Sequence, residues 1–217
     1  PRRNERTVTS TCELVRELGH ERVVIIQEPA VGLRAVIAIH DTTLGRAIGG
    51  TRMRSYPAFE DAIEDALRLS HAMTAKAAFA GMPCGGGKAV IVGDPRREKT
   101  PELLLAFGGA VEELGGRFFT GGDMGIDAAD LAVMGRATSH IGHTPTTAGV
   151  DASDLTAIGV VSAMEVVAER LGKPLSICTV ALQGLGEVGG RLAEKLAGKG
   201  VDLIVTDTVL ARTDAVV

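Results

Sequence analysis

The stretch ICTVALQGLGEVGG, residues 177–190, begins with an unbroken apolar run at 177–182 and ends in glycines at G-x-G-x-x-G spacing: Gly184, Gly186 and Gly189. A short run that is apolar at every position fits a parallel strand buried on both faces. The glycines follow it directly, residues 187–198 have helical spacing, and a second apolar run, LIVT, occupies 203–206. Strand, glycine turn, helix and strand make one βαβ unit, and that context turns a weak pattern into a dinucleotide fingerprint. Gly184 permits the tight turn, Gly186 lets backbone N–H groups approach a pyrophosphate, and Gly189 lets helix and strand pack closely. Glu187 and Val188 complete the turn at the helix N-terminus, whose partial positive charge faces the phosphates. Asp207, at the end of the second strand, is placed to accept hydrogen bonds from the adenosine ribose and to repel a 2′-phosphate, so NAD is expected over NADP. The competing reading is a ligand-free strand–helix turn with Asp207 as a strand-end cap.

Outward from this unit, helix 155–171 is closed by Gly172 and Pro174, and a polar loop at 142–154 precedes it. The spacing predicts a domain boundary near 145–155. In the front half it predicts helix 11–19, strands 22–27 and 34–40, a bent strand within 44–54 and a long amphipathic helix over 58–79. Gly81, Pro83 and Gly85–Gly87 are expected to break that helix before strand 89–92; helix 101–114, strand 117–120 and helix 127–135 follow. The class is α/β.

The composition, 45% hydrophobic and 23% charged over 217 residues, is that of a globular chain with a real core. A net charge of −4 without a dense Lys/Arg run argues against nucleic acid and anionic membranes as partners. No apolar run reaches the length of a membrane span. Three scattered cysteines, Cys12, Cys84 and Cys178, point to a reducing, cytoplasmic setting and offer no metal-ligand spacing. Pro1 in place of Met, and an end at Val217 soon after the second apolar run, suggest a piece of a longer sheet.

Lys76 ends the long helix and Lys88 follows Gly85-Gly86-Gly87. A phosphate loop is rejected: its first glycine and its hydroxyl are replaced by Met82 and Ala89, and the order of elements is reversed. Two solvated lysines are the ordinary reading. Against it, Lys76 lies between Ala75 and Ala77, and Lys88 opens a buried run; a dehydrated lysine becomes a usable base. The glycines would let a small substrate approach the backbone. His20, His40, His71, His140 and His143 look isolated, and Glu60, Asp61, Glu64 and Asp65 read as a solvated helix start.

The segments 37–45 (IAIHDTTLG), 49–53 (GGTRM), 63–69 (IEDALRL), 73–76 (MTAK), 85–88 (GGGK), 93–95 (GDP), 123–125 (DMG) and 155–157 (LTA), followed by the Gly184 turn, occur in that order. Together they resemble the leucine, valine and phenylalanine dehydrogenases of the glutamate dehydrogenase superfamily. The resemblance implies a substrate-binding and oligomerisation domain over 1–150 and, over 151–217, the first βαβ unit of a Rossmann NAD-binding domain. It implies NAD-dependent oxidative deamination of a hydrophobic L-amino acid, with Lys76 on the substrate carboxylate, Lys88 as general base for water and Asp123 shuttling protons. Gly49, Gly50 and Met53 would line the substrate site, and Thr156 would stand near the nicotinamide. Without the resemblance, Asp123 would read as a helix cap. Gly121 would open the side-chain pocket and Ile48 would keep it apolar, leaving Leu, Val, Ile and Phe as candidates; Gly122 replaces a frequent Glu. A homo-oligomer is expected and no metal. The alternatives are a catalytically incomplete binding or oligomer-forming module, or a different nucleotide-dependent oxidoreductase such as a hydroxy acid dehydrogenase.

Overall fold

The computed structural model describes residues 11–142 and 152–215. Contacts divide the chain into two compact units, Pro1–Pro145 and Thr146–Val217. Among the described residues no helix is long and apolar enough to cross a membrane.

The first unit is built on a five-stranded mixed sheet. Its strands are β1 (Arg22–Glu28), β2 (Leu33–Asp41), β3 (Ala47–Arg54), β4 (Gly85–Val92) and β5 (Phe118–Gly122), in the order β1-β2-β4-β3-β5. β1 pairs with β2 and β2 with β4 antiparallel, whereas β3 runs parallel to both β4 and β5. Alternate side chains of the central strands feed two cores. Leu33, Ala35, Ile37, Ile39, Ala89 and Ile91 face α3 (Pro101–Glu112) and α4 (Ala128–Met134), where Phe107, Val111 and Met134 pack with them. Val36, Ala38, Val90 and Val92 face α2 (Phe59–Phe79), meeting Ala62, Ile63, Ala66 and Leu67 there, with Leu14, Val15 and Leu18 of α1 (Thr11–Leu18) packed alongside. Each fully buried side chain of Leu or Phe size contributes roughly 1.5–3 kcal/mol.

Local signals set the ends of these elements. Thr100 caps α3 by accepting the Leu103 N–H at 3.2 Å, with Pro101 as the first helical residue. Asp127 caps α4 through the N–H groups of Ala129 and Asp130. α2 ends before the glycines, but Gly85–Gly87 already belong to β4, which starts earlier than the expected 89–92, and every residue of that strand is buried. A Cβ at Gly86 would collide with the backbone nitrogen and hydroxyl of Thr74, so the glycine is what lets α2 lie against the strand.

The second unit contains α5 (Ala152–Arg170), β6 (Thr179–Gln183), α6 (Glu187–Ala197), β7 (Asp202–Thr206) and α7 (Leu210–Asp214). β6 and β7 pair parallel as a two-stranded sheet. Val180, Leu182 and Leu203 pack onto Ala157 and Val161 of α5 and Leu192 and Leu196 of α6. The opposite face is open, with Ile204 62% exposed. The apolar run at 177–182 is therefore covered on one side only, and its first residues form a 3-10 turn, Leu175–Ile177. Two-sided burial needs elements on both faces, and among the described residues only one face has them.

Candidate functional site

Strand alternation gathers the site on the α2 face of the sheet. Lys88 pairs with Ala38 and Arg52 with Val90, and both partners belong to the core beneath α2. Asp123 comes immediately after β5, in a turn closed by the Ile126 N–H on its own carbonyl at 2.9 Å. That turn is fastened to β3 by the Met53 N–H on Met124 O at 2.8 Å, and Lys99 Nζ donates to Gly125 O at 3.1 Å.

The Lys88 ammonium, with its side chain 8% exposed, stands 2.8 Å from Asp123 Oδ2. A buried ammonium without a partner is costly, and the carboxylate supplies the partner. Arg52 Nε donates to the same Oδ2 at 2.8 Å, while its Nη1 reaches Asp65 Oδ2 on α2 at 2.9 Å. The Tyr56 hydroxyl donates to that Asp65 oxygen at 2.5 Å. Burial alone would raise the Asp123 carboxyl; the hydrogen bonds and charges of Lys88 and then Arg52 outweigh it and hold the group below the usual carboxylate value. Burial and then Asp65 push the Tyr56 hydroxyl up, so it stays a donor.

Beside this network lies an open hollow of about 360 Å³ lined by Ile48, Gly50, Met82, Phe119, Gly121 and Gly142, with Arg46 also on its wall. α2 packs over β2 and β4, leaving this face of β3 and β5 accessible. A Cβ on Gly50 would be 3.0 Å from Asp123 Cβ, so the charged network borders the hollow. A Cβ on Gly121 would meet nothing within 4 Å. A larger recess of about 540 Å³ in the second unit is bordered by Glu165, Lys173 and Lys199. Its Lys199–Glu165 pair is already closed at 2.7 Å, and no member of the network lies on it.

The structure thus brings Lys88 and Asp123 together and sets Gly49 and Gly50 along the hollow. Met53 must be corrected. Its side chain is fully buried in the core facing α3 and α4, on the opposite side of β3 from Arg52, and only its backbone serves the site. Lys76 is exposed in the last turn of α2, and its ammonium makes no hydrogen bond or ion pair among the described residues. Asp65 is a second correction: it is tied to Arg52 and Tyr56 instead of belonging to a solvated helix start. Arg52, Asp65 and Tyr56 are functional candidates that composition and spacing miss. A usable signal was the position of Arg52 two residues after Gly50, on the same face of a strand. His143 and most of the 144–154 loop lie outside the described residues.

In the second unit, Gly184 has φ +93° and Gly186 is the exposed N-cap residue of α6. A Cβ at either would meet nothing within 4 Å, whereas one at Gly189 would strike the Gly184 carbonyl. The turn has the open backbone and helix N-terminus that a pyrophosphate requires, with Glu187 and Val188 in the first turn of α6. Asp207 faces inwards, its side chain 5% exposed, and accepts from Leu185 N at 2.6 Å and Val209 N at 2.7 Å. The Val209 and then Leu185 N–H groups lower its carboxyl, with Arg212 adding a weaker effect at 3.6 Å. Asp207 thus braces the turn, as the competing strand-end reading expected, at the end of β7 where a ribose acceptor was expected. Thr156 lies on the exposed side of α5.

Residues 20–140 match the family model described as Glu/Leu/Phe/Val dehydrogenase, dimerisation domain. A phenylalanine dehydrogenase from Lysinibacillus sphaericus is 49% identical over 193 residues, covering 87% of this chain and 51% of the relative. A valine dehydrogenase from Streptomyces virginiae is 48% identical over 193 residues, covering 87% and 54%. Among solved structures, L-tryptophan dehydrogenase from Nostoc punctiforme superposes with a TM-score of 0.67 at 40% identity, covering 95% of this chain and 59% of that one. The chain spans about half the length of the curated relatives it matches. With the family model covering more than half of its length, and the network built from residues inside the matched span, the chain belongs to the Glu/Leu/Phe/Val dehydrogenase family.

Proposed function

We propose that the full-length protein is an NAD-dependent dehydrogenase that oxidatively deaminates a hydrophobic L-amino acid to its 2-oxo acid and ammonia. The observation that carries this reading is the buried Lys88 paired with a half-buried Asp123 beside an apolar-walled hollow. The hollow's size falls within the roughly 300–1,000 Å³ of small-molecule pockets. Ile48, Met82 and Phe119 would take an apolar substrate side chain, and Gly121 leaves room for a large one. Lys76, exposed and free of partners among the described residues, would hold the substrate carboxylate.

The backbone of Gly184–Gly189 would hold the cofactor's pyrophosphate, with Asp207 disfavouring an additional phosphate and Thr156 near the nicotinamide. NAD held there would supply the hydride acceptor for the substrate Cα. Lys88, having released its own proton, accepts one from the water that adds at Cα; Asp123 passes a proton to the amino group, which leaves as ammonia. The family model's description as a dimerisation domain supports a homo-oligomer.

The test is NADH absorbance with the full-length protein and a panel of L-Leu, L-Val, L-Ile, L-Phe, L-Trp and L-Glu. Turnover is expected with hydrophobic members and little with Glu. Lys88→Ala should lower kcat on the order of 100- to 10,000-fold while amino acid binding changes little. No NADH with any amino acid, or near-normal turnover of Lys88→Ala, would overturn the reading.

A further inference from the structure

Lys88 Nζ and Arg52 Nε both point to one oxygen of Asp123, Oδ2, each at 2.8 Å. Oδ1 accepts no hydrogen bond among the described residues. Arg52 is itself held from behind: Nη1 is fixed by Asp65, whose oxygen also takes the Tyr56 hydroxyl, and the Arg54 guanidinium lies 4.8 Å over the Tyr56 ring. The chain Tyr56–Asp65–Arg52–Asp123–Lys88 therefore runs unbroken between α2, β3, β4 and the turn after β5. It holds two cations and two carboxylates.

We propose that Arg52 is a positioning residue that acts through Asp123 as its permanent counter-ion, so that Asp123 keeps its orientation while Lys88 loses and regains its proton. This rests on the reading of Lys88 as base and Asp123 as proton carrier. A lysine serving as a base must spend part of each cycle neutral. If Lys88 were the only partner of Asp123, that step would strand a half-buried carboxylate without a positive charge, at the moment when proton transfer needs its orientation. A guanidinium does not deprotonate in this range, and its planar fork can serve Asp123 and Asp65 at once. Asp65 in turn neutralises Arg52, so the permanent charge adds no net positive field to the site. With Oδ2 occupied by both cations, Oδ1 is the oxygen left to exchange protons with the substrate amine.

The proposal is tested in the full-length protein with Arg52→Gln, Arg52→Lys and Asp65→Asn, alongside Lys88→Ala and Asp123→Asn. Arg52→Gln should reduce kcat about 10- to 100-fold with a smaller change in KM. It should also move the kcat profile about one pH unit upward, because losing a fixed positive charge makes every nearby proton easier to hold. Arg52→Lys restores charge without the fork, so its profile should return towards wild type while kcat recovers only in part. Asp65→Asn should lower kcat less than Arg52→Gln and leave Asp123 charged. Independently of turnover, carbon NMR of the Asp123 carboxyl should follow a titration that rises about one unit in Arg52→Gln.

Wild-type kcat and pH profile in Arg52→Gln, with Lys88→Ala and Asp123→Asn both crippled, would overturn the role of Arg52 and leave the catalytic reading intact. Normal turnover in Lys88→Ala or Asp123→Asn would overturn the underlying reading, and the proposal with it. Should Arg52→Gln fail to fold, Arg52→Lys with an unchanged kcat and an unmoved Asp123 titration would be equally fatal.

Discussion

Two glycines, one on β4 and one on β5, make opposite demands. At position 86 an added methyl would lie inside the van der Waals surface of Thr74, against backbone that cannot swing aside. Overpacking of a rigid core costs about 1–3 kcal/mol or more, and this contact is with a helix that covers half the sheet. Gly86→Ala should lose at least about 2 kcal/mol in chemical denaturation; a loss smaller than a few tenths would show that α2 can retreat. At Gly121 the same methyl projects into the hollow without touching anything within 4 Å. Gly121→Ala should stay within about 0.5 kcal/mol of wild type. On the proposed function, Gly121→Ala in the full-length protein should shift kcat/KM from aromatic towards smaller side chains. An unchanged preference would remove Gly121 from the side-chain pocket. Only Gly86 is structural in this sense, although in the sequence both stand as glycines beside candidate catalytic residues.

The elements around the sheet are tied by three histidines that look isolated along the chain. His20 follows α1, His40 is on β2 and His71 on α2. Ring centroids of His20 and His40 are 5.0 Å apart and those of His40 and His71 are 4.7 Å apart. His40 Nε2 meets Leu18 O and its Nδ1 meets Thr74 Oγ1, both at 2.8 Å; His20 Nε2 meets Ser70 Oγ at 2.7 Å and Leu67 O at 3.1 Å. Burial, then the neighbouring His40, lower the His20 pKa from 6.5 to about 4, against the Leu67 carbonyl, which raises it. The unfolded chain takes a proton at 6.5 that the folded chain refuses until about 4, so stability should fall across that window and level off below it as far as this residue is concerned. Carboxylates held below their usual values, such as Asp123, lose their contribution progressively as pH falls through the unfolded value of 3.8, at the acid end of this window and beyond. Urea midpoints measured from pH 7 to 4 should fall for the wild type and flatten in His20→Gln; equal slopes would discount the cluster. The period of apolar residues makes α2, α6 and the order of strands and helices legible in the sequence, because those elements are amphipathic in their own right. β4 is less so: its glycines form a strand only because β2 and β3 pair with it on both sides. The ordered motifs point to Lys88 and Asp123. Arg52, Asp65 and Tyr56 stay hidden because a tertiary contact, not local spacing, draws an acidic helix face into the charged network. Met53 fails for a related reason: strand parity turns its side chain into the core.

At the scale of the whole molecule the two units rest on unequal foundations. The first has a sheet with a packed core on each face and contains every residue of the charged network. The second has one small cluster and a two-stranded sheet whose other face is bare, with Ile204 62% exposed. Two strands backed by helices on one side bury little apolar surface against the conformational entropy of ordering them, whereas a five-stranded sheet covered on both faces does not face that deficit. Separated between residues 145 and 146, where the contacts divide, the two pieces should therefore behave differently. Residues 11–145 should give dispersed amide resonances and a single cooperative urea transition, retaining the Asp123 titration set by Lys88 and Arg52. Residues 146–217 alone should show collapsed dispersion and amide protons that exchange within minutes. Protected amides in β6 and β7 of the isolated second piece would mean that its helices supply more stability than its buried area implies. Loss of the cooperative transition in the first piece would mean that the network's geometry depends on the second.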